Sequence, residues 1–308
     1  MNFKVTSPQN RNELLQTIAR MQGSKFCFGA GYTDLLLLLK KQPVEDLTII
    51  NLARLEDKRF SSIEVQDGGI RIGALVTANT LTEDAGIKER LPVLFEAASQ
   101  HASRQIRQVA TVGGNLCTAS PAGDLACALV ALQAQCEILS AKGKVRNILL
   151  DKFFVGVRKT DLQPDEVLCG VFVPLRDEGK NNYSRFIKIG IRRSMECAVL
   201  SLACHLRVDD DGRIAHAGIA IGSVAPVIRF VAAACDFLMG RRISQISPQA
   251  AAEFAAIVVS YASPITDIRG SAWYRKEALY NISKSLFENR AGASSALETP
   301  RRKKTGKK

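Results

Sequence analysis

Two segments carry the residue types that bind phosphate and sugar. The first, Gly29-Ala30-Gly31-Tyr32-Thr33-Asp34, follows a short apolar run, Lys25 to Phe28, and precedes a leucine-rich stretch with the length of a helix. Glycines let backbone N–H groups approach an anion, and a helix start beyond them adds the positive end of a dipole. The segment opens like a dinucleotide fingerprint but has Asp34 where a third glycine would stand. No Gly-x-x-x-x-Gly-Lys-Ser/Thr occurs, which excludes an ATP-hydrolysing P-loop. Alone, the segment serves equally as a strand-to-helix turn or as a ligand loop. The second, Ala110-Thr111-Val112-Gly113-Gly114-Asn115, runs on to Ser120-Pro121-Ala122-Gly123-Asp124. Its glycines, hydroxyl and amide suit a pyrophosphate, and the carboxylate suits ribose hydroxyls. Two such loops can clasp one extended dinucleotide from both sides.

Other chemistry is sparse. Eight cysteines stand at 27, 117, 127, 136, 169, 197, 204 and 235 without a Cys-x-x-Cys pair, so no zinc or iron–sulfur ligand run is visible and they read as reduced, buried thiols. His205 and His216 fall on predicted strands and read as packing or surface residues. No Ser-His-Asp set or acid–base dyad is evident, so no catalytic residue and no metal ligand is assigned.

These segments need a sizeable scaffold. The chain has 308 residues, 46% hydrophobic and 23% charged, a composition that excludes a disordered or fibrous protein and leaves room for two or three domains. The longest purely aliphatic run, Leu35 to Leu39, is far too short to cross a bilayer, and Met1 to Asn10 lacks the apolar region of a secretory signal, so a cytoplasmic protein without a membrane span is expected. Net charge is +12, but the last eight residues carry six of those charges. The excess is therefore no footprint of nucleic acid, and 289–308 reads as a flexible basic tail.

Predicted elements fall into two patterns. Before residue 174, strands at Leu47 to Leu52, Cys136 to Ser140, Val145 to Leu149 and Val167 to Val173 mix with helices at Thr77 to Asp84, Pro92 to Ser99 and Asp124 to Gln133. Phe60 to Val65 and Ile70 to Ala74 flank Asp67-Gly68-Gly69 as a hairpin. Leu175 to Asn182 is the candidate linker. After it come strands at Tyr183 to Ile189, Ala198 to Val208 and Arg213 to Gly222, then helices at Ala225 to Leu238, Pro248 to Tyr261 and Ser271 to Glu288, the order of an α+β domain with helices over one sheet face.

Taken together, Gly31-Tyr32-Thr33-Asp34-Leu35, Thr111-Val112-Gly113-Gly114-Asn115 with Ser120-Pro121 and Asp124, and Phe153-Phe154-x-Gly156-x-Arg158-Lys159-Thr160 resemble the FAD-binding subunit of the xanthine dehydrogenase family of molybdenum hydroxylases. Lys188 with Arg192-Arg193, and Asp267-x-Arg269-Gly270-Ser271-Ala272-x-Tyr274-Arg275, extend the resemblance over residues 1–288. It implies an α+β protein: a two-subdomain FAD-binding domain of the molybdopterin-dehydrogenase type at 1–176, divided near residue 57, then a CO-dehydrogenase-flavoprotein-like α/β domain at 183–288. It implies that Phe28, Gly29, Ala30, Gly31, Tyr32, Thr33, Asp34 and Leu35, with Thr111, Val112, Gly113, Gly114 and Asn115, hold the pyrophosphate and ribityl chain of FAD. Asp124 would lie near the adenosine half, and Leu168 and Lys188 would line the flavin. His101 is either an FAD contact or an ordinary helix-surface residue. Many members have a second glycine where Tyr32 stands, and an Asp after the Arg pair where this chain has Met195-Glu196-Cys197.

The implied function is electron transfer in purine metabolism: a molybdopterin-binding partner oxidises substrate, a 2Fe-2S partner passes electrons here, and FAD delivers hydride to NAD+. A CO, nicotinate or aromatic hydroxylase with another electron acceptor is the alternative reading.

Overall fold

The computed structural model describes residues 3–175, 182–192 and 195–288. Nearly all of the candidate linker, Arg193 and the basic segment 289–308 lie outside the described residues.

Three main sheets organise the chain. The first is parallel: β1 (Phe3–Thr6), β2 (Phe26–Gly29) and β3 (Leu47–Asn51) in the order β1-β3-β2, crossed by α1 (Arg11–Met21) and α2 (Leu35–Lys41). Helix α1 begins where Asn10 accepts the Glu13 N–H at 3.0 Å, and it buries Leu14, Thr17 and Ile18 as one stripe.

After α3 (Lys58–Ser61), strands β4 (Ile63–Gln66) and β5 (Gly69–Gly73) open the second sheet. Then come α4 (Ala78–Glu83), α5 (Ala85–Arg90), α6 (Pro92–Ser99), α7 (Arg104–Arg107), α8 (Val112–Thr118) and α9 (Asp124–Ala131). Strands β6 (Gln135–Ser140) and β7 (Val145–Leu149), helix α10 (Leu150–Phe153), the small hairpin β8 (Phe154–Gly156) with β9 (Lys159–Thr160), and β10 (Glu166–Pro174) follow. The sheet is antiparallel in the order β4-β5-β10-β6-β7. The third sheet, β11 (Asn182–Ile189), β12 (Leu200–Val208), β13 (Ile214–Gly222) and β14 (Arg229–Phe230), is antiparallel in chain order and carries α11 (Ala232–Leu238), α12 (Pro248–Ser260) and α13 (Ala272–Glu288).

Helix α9 joins the second and third sheets. All its residues are buried, because beyond Asp124 it is apolar on every side and has packing neighbours on every side. It rests against α6 and α8 on one flank and β12 and β13 on the other. Gly218 of β13 passes so close to the Ala131 carbonyl that no side chain fits between them. The largest core therefore runs from Ile72, Leu129 and Val171 into Ala203 and Ala220 of the third sheet and Ile228 just before β14. A second core, including Leu202, Leu206, Phe254 and Leu279, fills the space between that sheet and its helices.

Four local expectations change. Thr111 to Asn115 is the start of a helix rather than a loop, since Thr111 accepts the Gly114 N–H and caps α8. Phe60 sits in the short helix α3, initiated by Asp57 on the Arg59 N–H, and not in a strand. Helix α5, which glycine at 86 disguised in the sequence, is started by Asp84 on the Ile87 N–H. Helix α11 starts at Ala232 rather than Ala225, because Pro226 lies upstream and Arg229–Phe230 pair instead with β13. Among the described residues no helix is long and apolar enough to cross a membrane.

Candidate functional site

The first loop leaves β2 at Gly29 and turns into α2. Tyr32 takes a left-handed backbone, φ 60°, a conformation that costs a side-chain-bearing residue about 1 kcal/mol. Its ring folds back onto the bare Cα of Gly29 and packs with Cys27 and Leu35 around Leu39, Leu47 and Ile49. That burial raises its phenol above the usual range. Gly31 lies flat against the Val109 carbonyl, so a side chain there would push the loop off the segment leading into α8. Phe28 stacks edge-to-face on Phe26 at 5.7 Å, and Ala30 and Thr33 are half-buried in the turn. The amides of Gly31, Tyr32, Thr33 and Asp34 donate to no protein acceptor among the described residues. Successive free N–H groups around a left-handed residue form a concavity for an anion.

The second segment is built differently. Its N–H groups are not free: the backbone after β5, the Thr111 cap and the first helical turn consume them. Val112 donates to the Val76 carbonyl at 2.9 Å, Gly113 to Ala74 at 2.7 Å, Gly114 to Thr111 Oγ1 at 3.0 Å and Asn115 to the Thr111 carbonyl at 3.0 Å. Gly113 is buried on Ala74, whereas Gly114 is exposed, and Cys117 one turn on is exposed as well. The segment therefore presents a smooth helical face lined by small residues, with the Thr111 hydroxyl hydrogen and the Asn115 amide as remaining donors. Asn115 Oδ1 accepts the Ala126 N–H at 3.1 Å and so ties α8 to the start of α9.

Asp124 opens α9 and is 4% exposed. Its Oδ2 accepts Lys188 Nζ at 2.8 Å and meets His101 Nδ1 at 3.1 Å, while Lys188 also donates to the Gln100 carbonyl at 3.2 Å. Arg107 holds the His101 carbonyl at 3.0 Å. His101, Asp124 and Lys188 thus meet, and His101 is a partner of the carboxylate rather than a surface residue. Asp124 Oδ1 is buried without a hydrogen-bond partner among the described residues. Leu168 stands apart from this trio: it is 3% exposed and pairs with Ile138 within the second sheet.

Arg158 belongs to one of the motifs without an assigned role, and the structure brings it to Asp34. Its Nη1 donates to Asp34 Oδ2 at 2.9 Å, and Thr118 Oγ1 lies 3.5 Å from the same oxygen. Opposite charge is the available signal, but a separation of 124 positions hides the pairing. Glu196 rests its carboxylate on Gly190, two residues past Lys188, and accepts the Arg192 N–H at 2.9 Å. His205 meets Ser184 Oγ at 2.8 Å and lies 6.2 Å from the His216 ring; burial, helped by His216, lowers its pKa to about 4. Among the described residues no three His, Cys, Asp or Glu side chains gather as metal ligands.

These features fit a dinucleotide. Free amides in the first loop suit phosphate oxygens, the bare Gly114 face admits close approach, and the unpartnered Asp124 Oδ1 suits a hydroxyl donor.

Comparison with known proteins agrees with this chemistry. Residues 1–176 match the FAD binding domain in molybdopterin dehydrogenase, and residues 185–289 match the CO dehydrogenase flavoprotein C-terminal domain. The chain is 30% identical to the nicotine 6-hydroxylase medium subunit of Paenarthrobacter nicotinovorans, over 89% of this chain and 92% of that one. It is 33% identical to the xanthine dehydrogenase FAD-binding subunit of Escherichia coli O157:H7, over 64% and 66% respectively. In structure it resembles a carbon monoxide dehydrogenase chain from Hydrogenophaga pseudoflava, with a TM-score of 0.84 at 26% identity over 92% of this chain and 96% of that one. A chain of quinoline 2-oxidoreductase from Pseudomonas putida 86 is similar, with a TM-score of 0.83 at 26% identity over 94% and 97%.

Proposed function

The chain belongs to the FAD-binding subunits of the molybdenum hydroxylase family, and from that premise we propose that it relays electrons from a 2Fe-2S partner to NAD+ in a xanthine dehydrogenase-like complex. The observation that carries the cofactor placement is the contrast between the two segments: the first keeps its amides free while α8 offers a bare face. The amides of Gly31, Tyr32, Thr33 and Asp34 would bind the pyrophosphate, and Gly114 would let it lie against α8. Thr111 and Asn115 would donate to it from the side. Asp124 Oδ1 would accept a hydroxyl, its orientation set by Lys188 and His101. When bound, FAD supplies the exchange between single electrons and a hydride, and the protein contributes position and electrostatics.

The purine assignment draws on the relative named as a xanthine dehydrogenase subunit, and NAD+ is the acceptor proposed with it. A hydroxylase of another nitrogen heterocycle is the second reading, favoured by the longer match to the nicotine 6-hydroxylase subunit. FAD-loaded protein should oxidise NADH with an artificial dye but leave hypoxanthine and xanthine untouched until the molybdopterin and 2Fe-2S subunits are added. Purine-driven bleaching of the flavin without partners would refute the relay. Absence of NADH oxidation by the reconstituted complex would shift the assignment to a different acceptor, and hydroxylation of nicotinate rather than xanthine would select the second reading.

A further inference from the structure

We propose that Arg158 is a positioning residue for the cofactor: its guanidinium on Asp34 latches the first loop to the C-terminal end of α8. The inference rests on the reading that this loop and α8 hold FAD. Asp34 stands immediately before α2, where a carboxylate ordinarily caps the helix, yet its side chain makes no cap bond. Both its polar partners come from distant segments, Arg158 at 2.9 Å and Thr118 at 3.5 Å.

Arg158 is itself held in place. Its N–H donates to the Ala119 carbonyl at 3.0 Å, and both residues are left-handed, with φ of 55° and 45°. A glycine would serve such a backbone without strain, so the turn accepts an unfavourable conformation while placing a guanidinium at this point. The pair does little for stability, because the two side chains are 50% and 44% exposed. Its effect is geometric. Free amides at 31–34 lie on one side of it and α8 on the other, so the latch holds together the two segments assigned to the pyrophosphate. Loss of the pair frees the loop to swing away, and FAD then leaves faster.

The test is the rate of FAD release from the full-length loaded protein, followed by the rise in flavin fluorescence on dilution. Arg158→Ala and Asp34→Asn should each raise the rate about fivefold, the double variant no further than the faster single, and Arg158→Lys should stay within about twofold of wild type. Release from wild type should quicken with added NaCl more steeply than release from Arg158→Ala, because both keep the salt response of the bound pyrophosphate and only wild type adds that of the ion pair, a difference that a purely structural role would not produce. Should Arg158→Ala fail to fold, the release rate and salt response of Asp34→Asn and the retention by Arg158→Lys decide the matter. A wild-type release rate in Arg158→Ala, a double variant whose effect multiplies, or equal salt responses in wild type and the variants that lack the pair would overturn the latch. The underlying site fails separately, if Gly114→Val keeps its flavin.

Discussion

Lys188 and Asp124, 64 residues apart, form an ion pair of 2.8 Å in which neither side chain is more than 5% exposed. Removing one partner strands the other charge, so Asp124→Ala should lose about 3 kcal/mol of stability through Lys188 alone. Asp124→Leu with Lys188→Met should recover most of that loss and still fail to retain flavin. Urea unfolding and flavin content together check this, and an Asp124→Ala protein as stable as wild type would contradict it.

Adjacent glycines should behave differently. Gly113→Ala forces a methyl into Ala74 and should destabilise the fold by about 1–3 kcal/mol. A Cβ at Gly114 meets only Thr111 Oγ1, at 3.0 Å, so Gly114→Val should lower the melting temperature less than Gly113→Ala does while abolishing flavin binding. Flavin absorbance after gel filtration, beside thermal unfolding, separates the two outcomes.

The Tyr32 ring fills the space above Gly29, so Gly29→Ala should destabilise the first loop and Tyr32→Gly should rescue it. Tyr32→Gly alone relieves about 1 kcal/mol of backbone strain but gives up the packing of a partly buried ring and frees the unfolded chain, for a net loss. Stabilities of the two single variants and the double variant test this coupling. Simple additivity would refute it.

His205 is neutral in the folded protein because burial lowers its pKa to about 4 from 6.5. The unfolded chain therefore binds more protons between those values, and stability falls as pH drops from about 6.5 toward 4, by at most about 3 kcal/mol from this residue. His205→Gln should flatten that part of the stability profile, measured by urea unfolding from pH 7 to 4.5. An unchanged slope would show that His205 is not the titrating group.

Much of this molecule was legible in one dimension. Local rules place strands such as Val145–Leu149 and helices such as Pro92–Ser99, because hydrophobic period and proline act within a few residues. Residue type and order alone made the Gly31 to Leu35 and Thr111 to Asp124 segments recognisable as FAD motifs. Tertiary structure decided how those motifs divide the work. Whether an amide is free depends on what lies opposite it: Ala74 and Val76 engage Gly113 and Val112, while the Gly31 and Tyr32 amides meet no acceptor among the described residues. Charges behave likewise, since Asp34 and Arg158 or Asp124 and Lys188 pair only after the sheets and α9 have packed. Hydrogen bonds and ion pairs act over a few ångströms of space, and separation along the chain does not report that distance.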